Sequence, residues 1–470
     1  MRKLVLLLFF TLLSNLQLVK GQDLESQELL KLRNQDFTPI GESNGYVYYY
    51  SWIRFKTDLK INVYKYNQDN LELVDTKEIF VKDIRPKVFN YHCKINAYIK
   101  NNKFYFFYSL LHSGDFHVGL LTVDESLSNT QDLQLGVIVE TGYELLGDFY
   151  VAFSPDEKSA IVALKNRCER KKAIGTNTTT NFENTELVYV DLMNNKVNYS
   201  KRLPIELEEK RLSTSQYKTD NDGSVTCIAS ISDRNGGNVV YAVGIAQLPK
   251  AAEKLKINEI DVTGSTSISN QLIQAKNGDL VYIGNLGNKI LFKLLPLDKS
   301  KKWLETNFSN KSSCGVLYKV VESQNGYFLN FTNDLKLFAS TFISQTGELK
   351  WNKDMPVTKN YFKNYDLHVN VVAHQAKEYI VCTENKTELY TPKIQRYLDE
   401  GYTQYVYDFK NFQTVMYSFD ENGMIEKKTV NTDVDFFANP SSTDFVSEKG
   451  ALFMPLDGKK SYKLKKITIK

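Results

Sequence analysis

The stretch that decides the fold is Asn44-Gly45, followed at once by Tyr46-Val47-Tyr48-Tyr49-Tyr50. Asn-Gly is the dipeptide that two-residue hairpin turns favour, and the run behind it consists of residues that are enriched in strands. The same unit recurs along the whole chain. Comparable turns open short aromatic or β-branched runs at residues 44–45, 102–103, 155–158, 222–223, 277–278, 325–326, 377 and 449–450. The pattern predicts eight repeats of one β-hairpin unit.

The spacing of these turns averages about 58 residues, somewhat more than the roughly 40 to 50 residues of a propeller blade, as expected where blades carry long loops. Most repeats contain a second hairpin signal, such as the strand-like run 187–191 that turns at 194–196. Two hairpins give four antiparallel strands, which is the composition of one blade. We therefore predict an all-β fold, a single β-propeller of about eight four-stranded blades, with seven blades as the alternative.

A pair of β-sandwich domains also produces short strands and turns, but it does not require the same two-hairpin unit eight times. We expect residues 22–470 to form one propeller domain. A propeller must close its ring, because an open ring leaves strand edges unpaired. The last repeat lacks its outermost strand, so we expect residues 22–40 to pair beside 462–470. Tyr462 and Leu464 have the opposite parity to Ile467 and Ile469, which predicts a bulge near 465–466.

The first 21 residues have the features of a secretory signal peptide. Arg2 and Lys3 precede an apolar run at 4–13, and Val19-Lys20-Gly21 is a suitable cleavage site. The apolar run of about ten residues is too short to span a bilayer, which takes about twenty. We expect an exported protein, periplasmic, at the cell surface or secreted, with no membrane span.

Charge excludes one class of partner. The chain of 470 residues carries a formal charge of +4, and loss of three cations with the signal peptide leaves +1. Such a balance predicts no general attraction for nucleic acid. The partner we expect is a protein or a glycan of the envelope.

Two short stretches resemble known propeller repeats. Phe153-Ser154-Pro155-Asp156-Glu157-Lys158 resembles the turn of the WD40-like repeat in TolB-type envelope propellers. Thr346-Gly347-Glu348-Leu349-Lys350-Trp351 is similar to the end of the repeat in quinoprotein-type eight-bladed propellers. The resemblance implies a bacterial envelope β-propeller. With three tryptophans, the chain lacks the repeated Trp docking motif of quinoprotein dehydrogenases, so we expect no quinone and no other cofactor.

The familiar catalytic and metal motifs do not occur. The five histidines lack zinc-ligand spacing, and no Gly-x-Ser-x-Gly elbow is found. Residues 220–223, Asp-Asn-Asp-Gly, resemble the opening of a calcium loop, but its closing Glu is missing. The five cysteines are scattered and odd in number, which argues against a disulfide framework. We therefore predict no catalytic or metal residues.

Three predicted insertions are candidates for partner binding, since loops at the faces of a propeller are where binding is usually built. They span 165–184, 202–218 and 390–407, the last around a predicted short helix at 394–399. The candidate residues are basic or aromatic: Arg167, Arg170, Lys171, Lys172, Tyr390, Tyr397, Tyr402 and Tyr405. The basic group suits an anionic partner such as envelope polysaccharide. The alternatives are a solvated loop for the basic residues and core packing for the tyrosines.

These features favour an exported non-catalytic β-propeller that acts as a binding or scaffold protein in the cell envelope or extracellular space. The alternative is a propeller enzyme, a hydrolase or lyase acting on glycans or peptides at the central channel. A third possibility is a secretion-system passenger, because residues 465–470 resemble a C-terminal sorting signal. Cys168, flanked by basic residues, is predicted to be the most reactive thiol.

Overall fold

The computed structural model describes most of the chain from residue 24 onward. The described ranges are 24–27, 29–30, 37–55, 58–81, 93–112, 115–128, 130–141, 147–171, 179–203, 210–233, 240–253, 255–262, 268–287, 289–298, 300–309, 315–333, 337–354, 369–385, 393–397, 402–406, 412–431, 436–438, 445–458 and 461–469. Within these ranges the regular secondary structure is all β, and no helix is long and apolar enough to cross a membrane.

In chain order, the strands of the first half are β1 (Leu24–Glu25), β2 (Leu29–Leu30), β3 (Thr38–Ser43), β4 (Tyr46–Phe55), β5 (Asp58–Asn67), β6 (Leu73–Val81), β7 (Cys93–Lys100), β8 (Lys103–His112), β9 (Asp115–Asp124), β10 (Thr130–Ile138), β11 (Glu140–Thr141), β12 (Phe149–Phe153), β13 (Ser159–Lys171), β14 (Thr179–Asp191), β15 (Lys196–Arg202), β16 (Lys210–Thr219), β17 (Val225–Asp233), β18 (Val240–Leu248) and β19 (Lys256–Asp261).

The remaining strands are β20 (Ile268–Gln274), β21 (Leu280–Leu286), β22 (Lys289–Leu295), β23 (Leu304–Ser309), β24 (Val316–Glu322), β25 (Gly326–Asn333), β26 (Leu337–Ser344), β27 (Leu349–Asp354), β28 (Val369–His374), β29 (Lys377–Asn385), β30 (Lys393–Tyr397), β31 (Tyr402–Val406), β32 (Phe412–Asp420), β33 (Ile425–Asn431), β34 (Phe436–Ala438), β35 (Phe445–Val446), β36 (Ala451–Gly458) and β37 (Ser461–Thr468).

Seven sheets are each built from one continuous stretch of chain. They are blade 1 (β3–β6), blade 2 (β7–β10), blade 3 (β11–β15), blade 4 (β16–β19), blade 5 (β20–β23), blade 6 (β24–β27) and blade 7 (β28, β29, β32, β33). An eighth sheet, blade 8, combines β34 to β37 with β1 and β2 from the other end of the chain. The predicted all-β propeller is confirmed. Continuous segments supply seven blades, the count of the alternative prediction, and the composite sheet takes an eighth place in the ring.

The first strands of successive blades lie side by side around the centre of the ring. β3 contacts β7, β16 contacts β12 and β20, and β24 contacts β20 and β28. Because neighbouring strands are antiparallel, the turns between first and second strands share one face of the ring with the turns between third and fourth strands. We call this face the turn face.

The core is divided among the spaces between blades. Eight clusters of buried apolar side chains each join two successive blades. In the cluster between blades 8 and 1, the Phe37 ring stacks on Tyr49 at 4.7 Å and on Tyr462 at 5.3 Å between centroids. This closed series of contacts differs from the alternative of two β-sandwiches, where each domain would hold its own core.

The ring is closed by both ends of the chain, as predicted. β37 pairs with β1, where Leu24 lies opposite Lys466, and with β2, where Leu29 lies opposite Tyr462. The predicted bulge near 465–466 is wrong, because β36 and β37 pair in one unbroken register. Both faces of β37 are buried, so both parities carry apolar side chains: one set packs toward blade 1 and the other toward blade 7.

The two stretches that resemble propeller repeats form ordinary inter-blade contacts. Trp351 lies near the end of blade 6, and its indole Nε1 donates to the Glu421 carbonyl of blade 7 at 2.8 Å. Its ring stacks on Phe419 at 5.8 Å. In the turn of blade 3, the Asp156 backbone N–H donates to the Asn221 side chain of blade 4 at 3.0 Å. Both stretches therefore contribute contacts between successive blades.

The three predicted insertions need correction. Residues 165–171 and 179–184 continue the long strands β13 and β14, which stay paired as far as Lys171 opposite Thr179. Residues 210–218 belong to β16, the first strand of blade 4. The predicted helix at 394–399 is wrong at 394–397, which lie in β30, paired with β31 as a hairpin. The sequence pattern did not predict these strands because their side chains are polar, whereas backbone pairing does not require apolar side chains.

Candidate functional site

A cleft of about 430 Å³ lies between blades 4 and 5 on the turn face. Its inner end is formed by the ends of the first strands, at residues 218–220 and Gln274, and its outer end by the third and fourth strands of both blades. The cleft therefore runs outward from the ring centre along the boundary between two blades. Clefts of this size are where ligand sites in proteins usually form.

Basic side chains outnumber acidic ones in this cleft. Among its described lining residues are three lysines, Lys218, Lys256 and Lys301, and one carboxylate, Asp220. A cleft lined by one sign of charge concentrates ligands of the opposite sign. The cleft therefore suits an anionic ligand.

Lys218 is the lysine whose surroundings change its chemistry. It is half-buried at the end of β16, and burial lowers the pKa of its ammonium group below the usual range. Within the described part of the chain, no ion pair or hydrogen bond is found for this ammonium group. A lysine with a lowered pKa holds a larger share of neutral amine at neutral pH, and a neutral amine can take up a proton.

The outer end of the cleft carries an exposed apolar surface. Trp303 is 36% exposed and Leu297 is 42% exposed, and both line the cleft. Together they give this end of the cleft an apolar wall, and ligand pockets are commonly lined by apolar side chains. The amides of Gln247, Asn258 and Gln274 line the same space and offer both donors and acceptors.

The acidic turn at the inner end is held by its own hydrogen bonds. The Ser224 backbone N–H donates to Asp220 Oδ1 at 2.8 Å and to Asp222 Oδ1 at 2.7 Å, and Gly223 has a φ of +87°. These bonds explain why Asp, Asn and Gly occupy residues 220–223. Nowhere in the described ranges do three or more His, Cys, Asp or Glu side chains come together as a group that could hold a metal ion.

The described residues that line this cleft include none of the eight predicted from sequence. Strand β13 of blade 3 contains Arg167, Arg170 and Lys171. The β30–β31 hairpin contains Tyr397, Tyr402 and Tyr405. Tyr397 and Tyr402 are opposite each other next to the turn of that hairpin. Lys172 and Tyr390 lie outside the described residues. The partner-binding role of all eight stays a prediction.

Sequence analysis missed the cleft because its residues come from several separate stretches between 218 and 303. Lys218 precedes the acidic turn that attracted notice as a calcium-like motif. No local pattern indicates that this lysine faces blade 5. The exposed Trp303 was the strongest available signal, since the chain has only three tryptophans.

Comparisons with known proteins identify the fold only. No family model matches the sequence, and no curated protein matches it. Prolyl oligopeptidase B from Galerina marginata is similar at 11% identity and a TM-score of 0.42, over 90% of this chain and 56% of that chain. The chain thus spans little more than half of that peptidase.

Two further solved structures are similar over most of their length. The β-propeller domain of the Trilobed protease from Pyrococcus furiosus matches at 9% identity, with a TM-score of 0.39, over 87% of this chain and 98% of that one. The polysaccharide lyase Uly1 matches at 11% identity, with a TM-score of 0.38, over 96% and 94%.

These neighbours correct one expectation, the non-catalytic scaffold. They are two peptidases, the β-propeller domain of a protease and a polysaccharide lyase. We therefore withdraw the scaffold interpretation. Identities of 8 to 11% show the fold alone and assign no activity to this chain.

Proposed function

We propose that this protein is an exported enzyme that cleaves acidic glycans by β-elimination in the cleft between blades 4 and 5, with Lys218 as the base. The observation that carries the proposal is the half-buried Lys218 amine, whose pKa is lowered by burial, in a cleft where three lysines face one aspartate. A base of lowered pKa and a surplus of positive charge are the two requirements of this reaction.

The steps balance with the side chains of the cleft. The neutral Lys218 amine takes the proton from the sugar carbon next to the carboxylate, and the electron pair moves into that carboxylate. Lys256 and Lys301 supply positive charge for the dianion that forms. The pair then returns to form a carbon–carbon double bond, and the bond to the glycosidic oxygen breaks. The Lys218 ammonium returns its proton to that oxygen, which leaves a new sugar hydroxyl and an unsaturated uronate.

Hydrolysis is less well supported by the same residues. Glycoside hydrolysis uses two carboxyl groups, and the described part of the cleft lining contains one carboxylate, Asp220. Its Oδ1 already accepts the Ser224 N–H. Peptide hydrolysis by a serine requires a base beside the hydroxyl, but Ser224 Oγ donates to Asp222 at 2.6 Å, and the lining residues that the structure describes include no histidine.

The outer end of the cleft supports a sugar substrate. The exposed faces of Trp303 and Leu297 provide an apolar surface against which the C–H face of a sugar ring can pack. The amides of Gln247 and Gln274 can bind sugar hydroxyls as donors and acceptors. This combination fits an acidic sugar chain better than an inorganic anion, which needs no apolar surface.

The proposal has two further parts. Residues 1–21 direct export of the protein, and the chain is related to TolB-type or quinoprotein-type envelope propellers. A glycan of an envelope or of the surroundings is the substrate that an exported enzyme would meet. The apolar run at 4–13 supports export. Expressing the full chain in a bacterium and determining the N-terminus of the protein recovered outside the cytoplasm tests it. A mature N-terminus at Gln22 is expected, and retention of Met1 in a cytoplasmic product contradicts it.

The reaction is tested with the purified full-length protein and a panel of polymers: polygalacturonate, alginate and hyaluronan, with neutral dextran as the control. β-Elimination creates a double bond conjugated to a carboxylate, so near-ultraviolet absorbance should rise with at least one acidic polymer and not with dextran. Cleavage that yields new reducing ends without this absorbance would show hydrolysis and would contradict the proposal.

A further inference from the structure

The strand that carries Lys218 contains a β-bulge immediately before it. In the pairing of β16 with β17, Ser215 lies opposite Ile228 and Lys218 lies opposite Thr226. Gln216 and Tyr217 therefore share a single partner position, that of Cys227. A bulge of this kind adds one residue and reverses the faces of every residue that follows.

The reversal decides which blade Lys218 faces. Before the bulge, Leu212 and Thr214 are buried, and Leu212 packs in the cluster between blades 3 and 4. After the bulge it is Tyr217 that packs in this cluster. Without the extra residue, Lys218 would have the parity of Leu212 and would enter the apolar space between blades 3 and 4. With it, Lys218 lines the cleft between blades 4 and 5.

Gln216 holds the bulge from the blade 5 side. Its φ of +53° lies in the left-handed region, which a glutamine seldom adopts without support. Its side-chain amide spans the gap between blades: Nε2 donates to the Asn270 carbonyl at 2.9 Å, and the Leu272 backbone N–H donates to Oε1 at 2.7 Å. The side chain thus pairs with β20 as a short piece of strand would.

Tyr217 holds the bulge from the blade 3 side. Its hydroxyl lies 2.6 Å from Thr214 Oγ1, and it donates to Thr185 Oγ1 of blade 3 at 3.3 Å. Its ring centroid lies 5.8 Å from that of Tyr150. Two successive side chains are therefore fixed to opposite neighbours, and the backbone between them has no freedom to return to a regular strand.

We infer that Gln216 is a positioning residue: through its amide bridge to β20 it maintains the bulge that directs Lys218 into the cleft. The inference rests on the proposed function for the role of Lys218, but the placement itself can be tested without any substrate. Substituting Gln216 should let β16 return to a regular strand, which turns Lys218 out of the cleft and shields its amine from reagents in solution.

The neighbouring blade provides a matched control. Gln271 on β20 makes the same bridge to blade 6: Nε2 donates to the Tyr318 carbonyl at 2.6 Å, and the Val320 N–H donates to Oε1 at 2.7 Å. The pairing of β20 with β21 has no bulge. Gln271→Asn removes an equal pair of inter-blade hydrogen bonds, so it reproduces the cost in stability without the effect on Lys218.

The experiment measures the reactivity of the Lys218 amine with acetic anhydride as a function of pH. Each full-length protein is briefly acetylated, and the acetylated fraction of the peptide containing Lys218 is measured by mass spectrometry. The first variant is Gln216→Asn: asparagine tolerates the left-handed backbone region, but its shorter side-chain amide cannot reach β20. The second is Gln216→Gly: glycine accepts the same φ and has no side-chain amide. If one of them folds poorly, the other still provides the comparison.

The acetylated fraction at Lys218 should fall about tenfold or more across the pH range in both Gln216 variants, because without the bulge the amine turns from the open cleft into the apolar space between blades 3 and 4 and reacts only when the strand opens. Gln271→Asn should match the wild type. Unchanged acetylation of Lys218 in the Gln216 variants, or an equal fall in Gln271→Asn, would overturn the inference. A fall confined to the Gln216 variants, with no polymer cleaved by the wild type, would uphold the positioning role while rejecting the proposed reaction.

Discussion

Ser26 and Leu464 exchange two hydrogen bonds across the outer edge of blade 8. The Ser26 backbone N–H donates to the Leu464 carbonyl at 2.9 Å, and the Leu464 N–H donates to Ser26 Oγ at 2.9 Å. The serine hydroxyl takes the place of a strand carbonyl where the register shifts by one residue between β1 and β2. These bonds join residues from the two ends of the chain and complete the ring.

Deleting residues 461–470 should abolish cooperative unfolding. The deletion removes β37, which pairs with β36 on one side and with β1 and β2 on the other. It also removes Tyr462 and Leu464 from one inter-blade cluster and Ile467 from another. Circular dichroism during denaturant unfolding should show a broad, shallow change in place of a single transition. A truncated protein with the midpoint of the full-length protein would mean that the ring is not closed by this strand.

Glu378 should make the protein less stable as the pH rises. It is fully buried between blades 6 and 7, where Asn330 Nδ2 donates to it at 2.5 Å and Ser340 Oγ at 2.7 Å. Burial raises its pKa to about 7, although these hydrogen bonds and the nearby Lys319 act in the opposite direction. An unfolded glutamate releases its proton near pH 4.3. Between these two values the folded state holds a proton that the unfolded state has lost, so stability falls as the pH rises through this window.

Glu378→Gln removes this titration. The difference in free energy of unfolding between variant and wild type should therefore shift in favour of the variant by about 3 kcal/mol between pH 4 and pH 8. Denaturant titrations at the two pH values measure it. Glu348→Gln is the control, because the Glu348 side chain is 69% exposed and pairs only at the surface with Lys350. If the Glu378→Gln difference were the same at both pH values, the raised pKa would be wrong.

Among the thiols, Cys168 should react first with iodoacetamide. Burial raises the pKa of the Cys227 thiol to about 12 and that of Cys93 further still, and Cys382 is buried. A thiol with a raised pKa contains little of the reactive thiolate. Arg167 precedes Cys168 and Arg170 follows it by two residues, and their positive charges are expected to favour its thiolate. Peptide mapping of the native protein after brief alkylation should find most label on Cys168, and faster labelling of Cys227 would count against this.

The repeat was predictable from sequence because its turns have local signatures. Gly45 and Gly278, each preceded by Asn, have φ values of +81° and +89°, which glycine adopts at little cost. The strand behind each turn is rich in aromatic and β-branched residues, so fold class and ring closure followed directly. The change of parity between Leu464 and Ile467 in β37 does not reflect the predicted bulge. A strand that is buried on both faces carries apolar residues at both parities without a bulge.

The bulge that does matter was not predictable. Ser215-Gln216-Tyr217 contains no glycine and no turn signal, and Gln216 is held in the left-handed region by partners more than fifty residues away in sequence. The cleft was equally unpredictable, since two blades contribute to it and neither contains a recognisable catalytic motif. Long-range placement of side chains, and not local preference, decides this site.

The most direct test of the account is the rate at which unsaturated uronate ends form when Lys218 is replaced. Lys218→Arg keeps the positive charge but removes the base, because a guanidinium stays protonated. With an acidic polymer that the wild type cleaves, kcat should fall by about 100-fold or more while KM changes little. Lys256→Arg, in the same cleft, should retain most of the rate. Wild-type turnover in Lys218→Arg would contradict the assignment of Lys218 as the base, and with it the proposed reaction in this cleft.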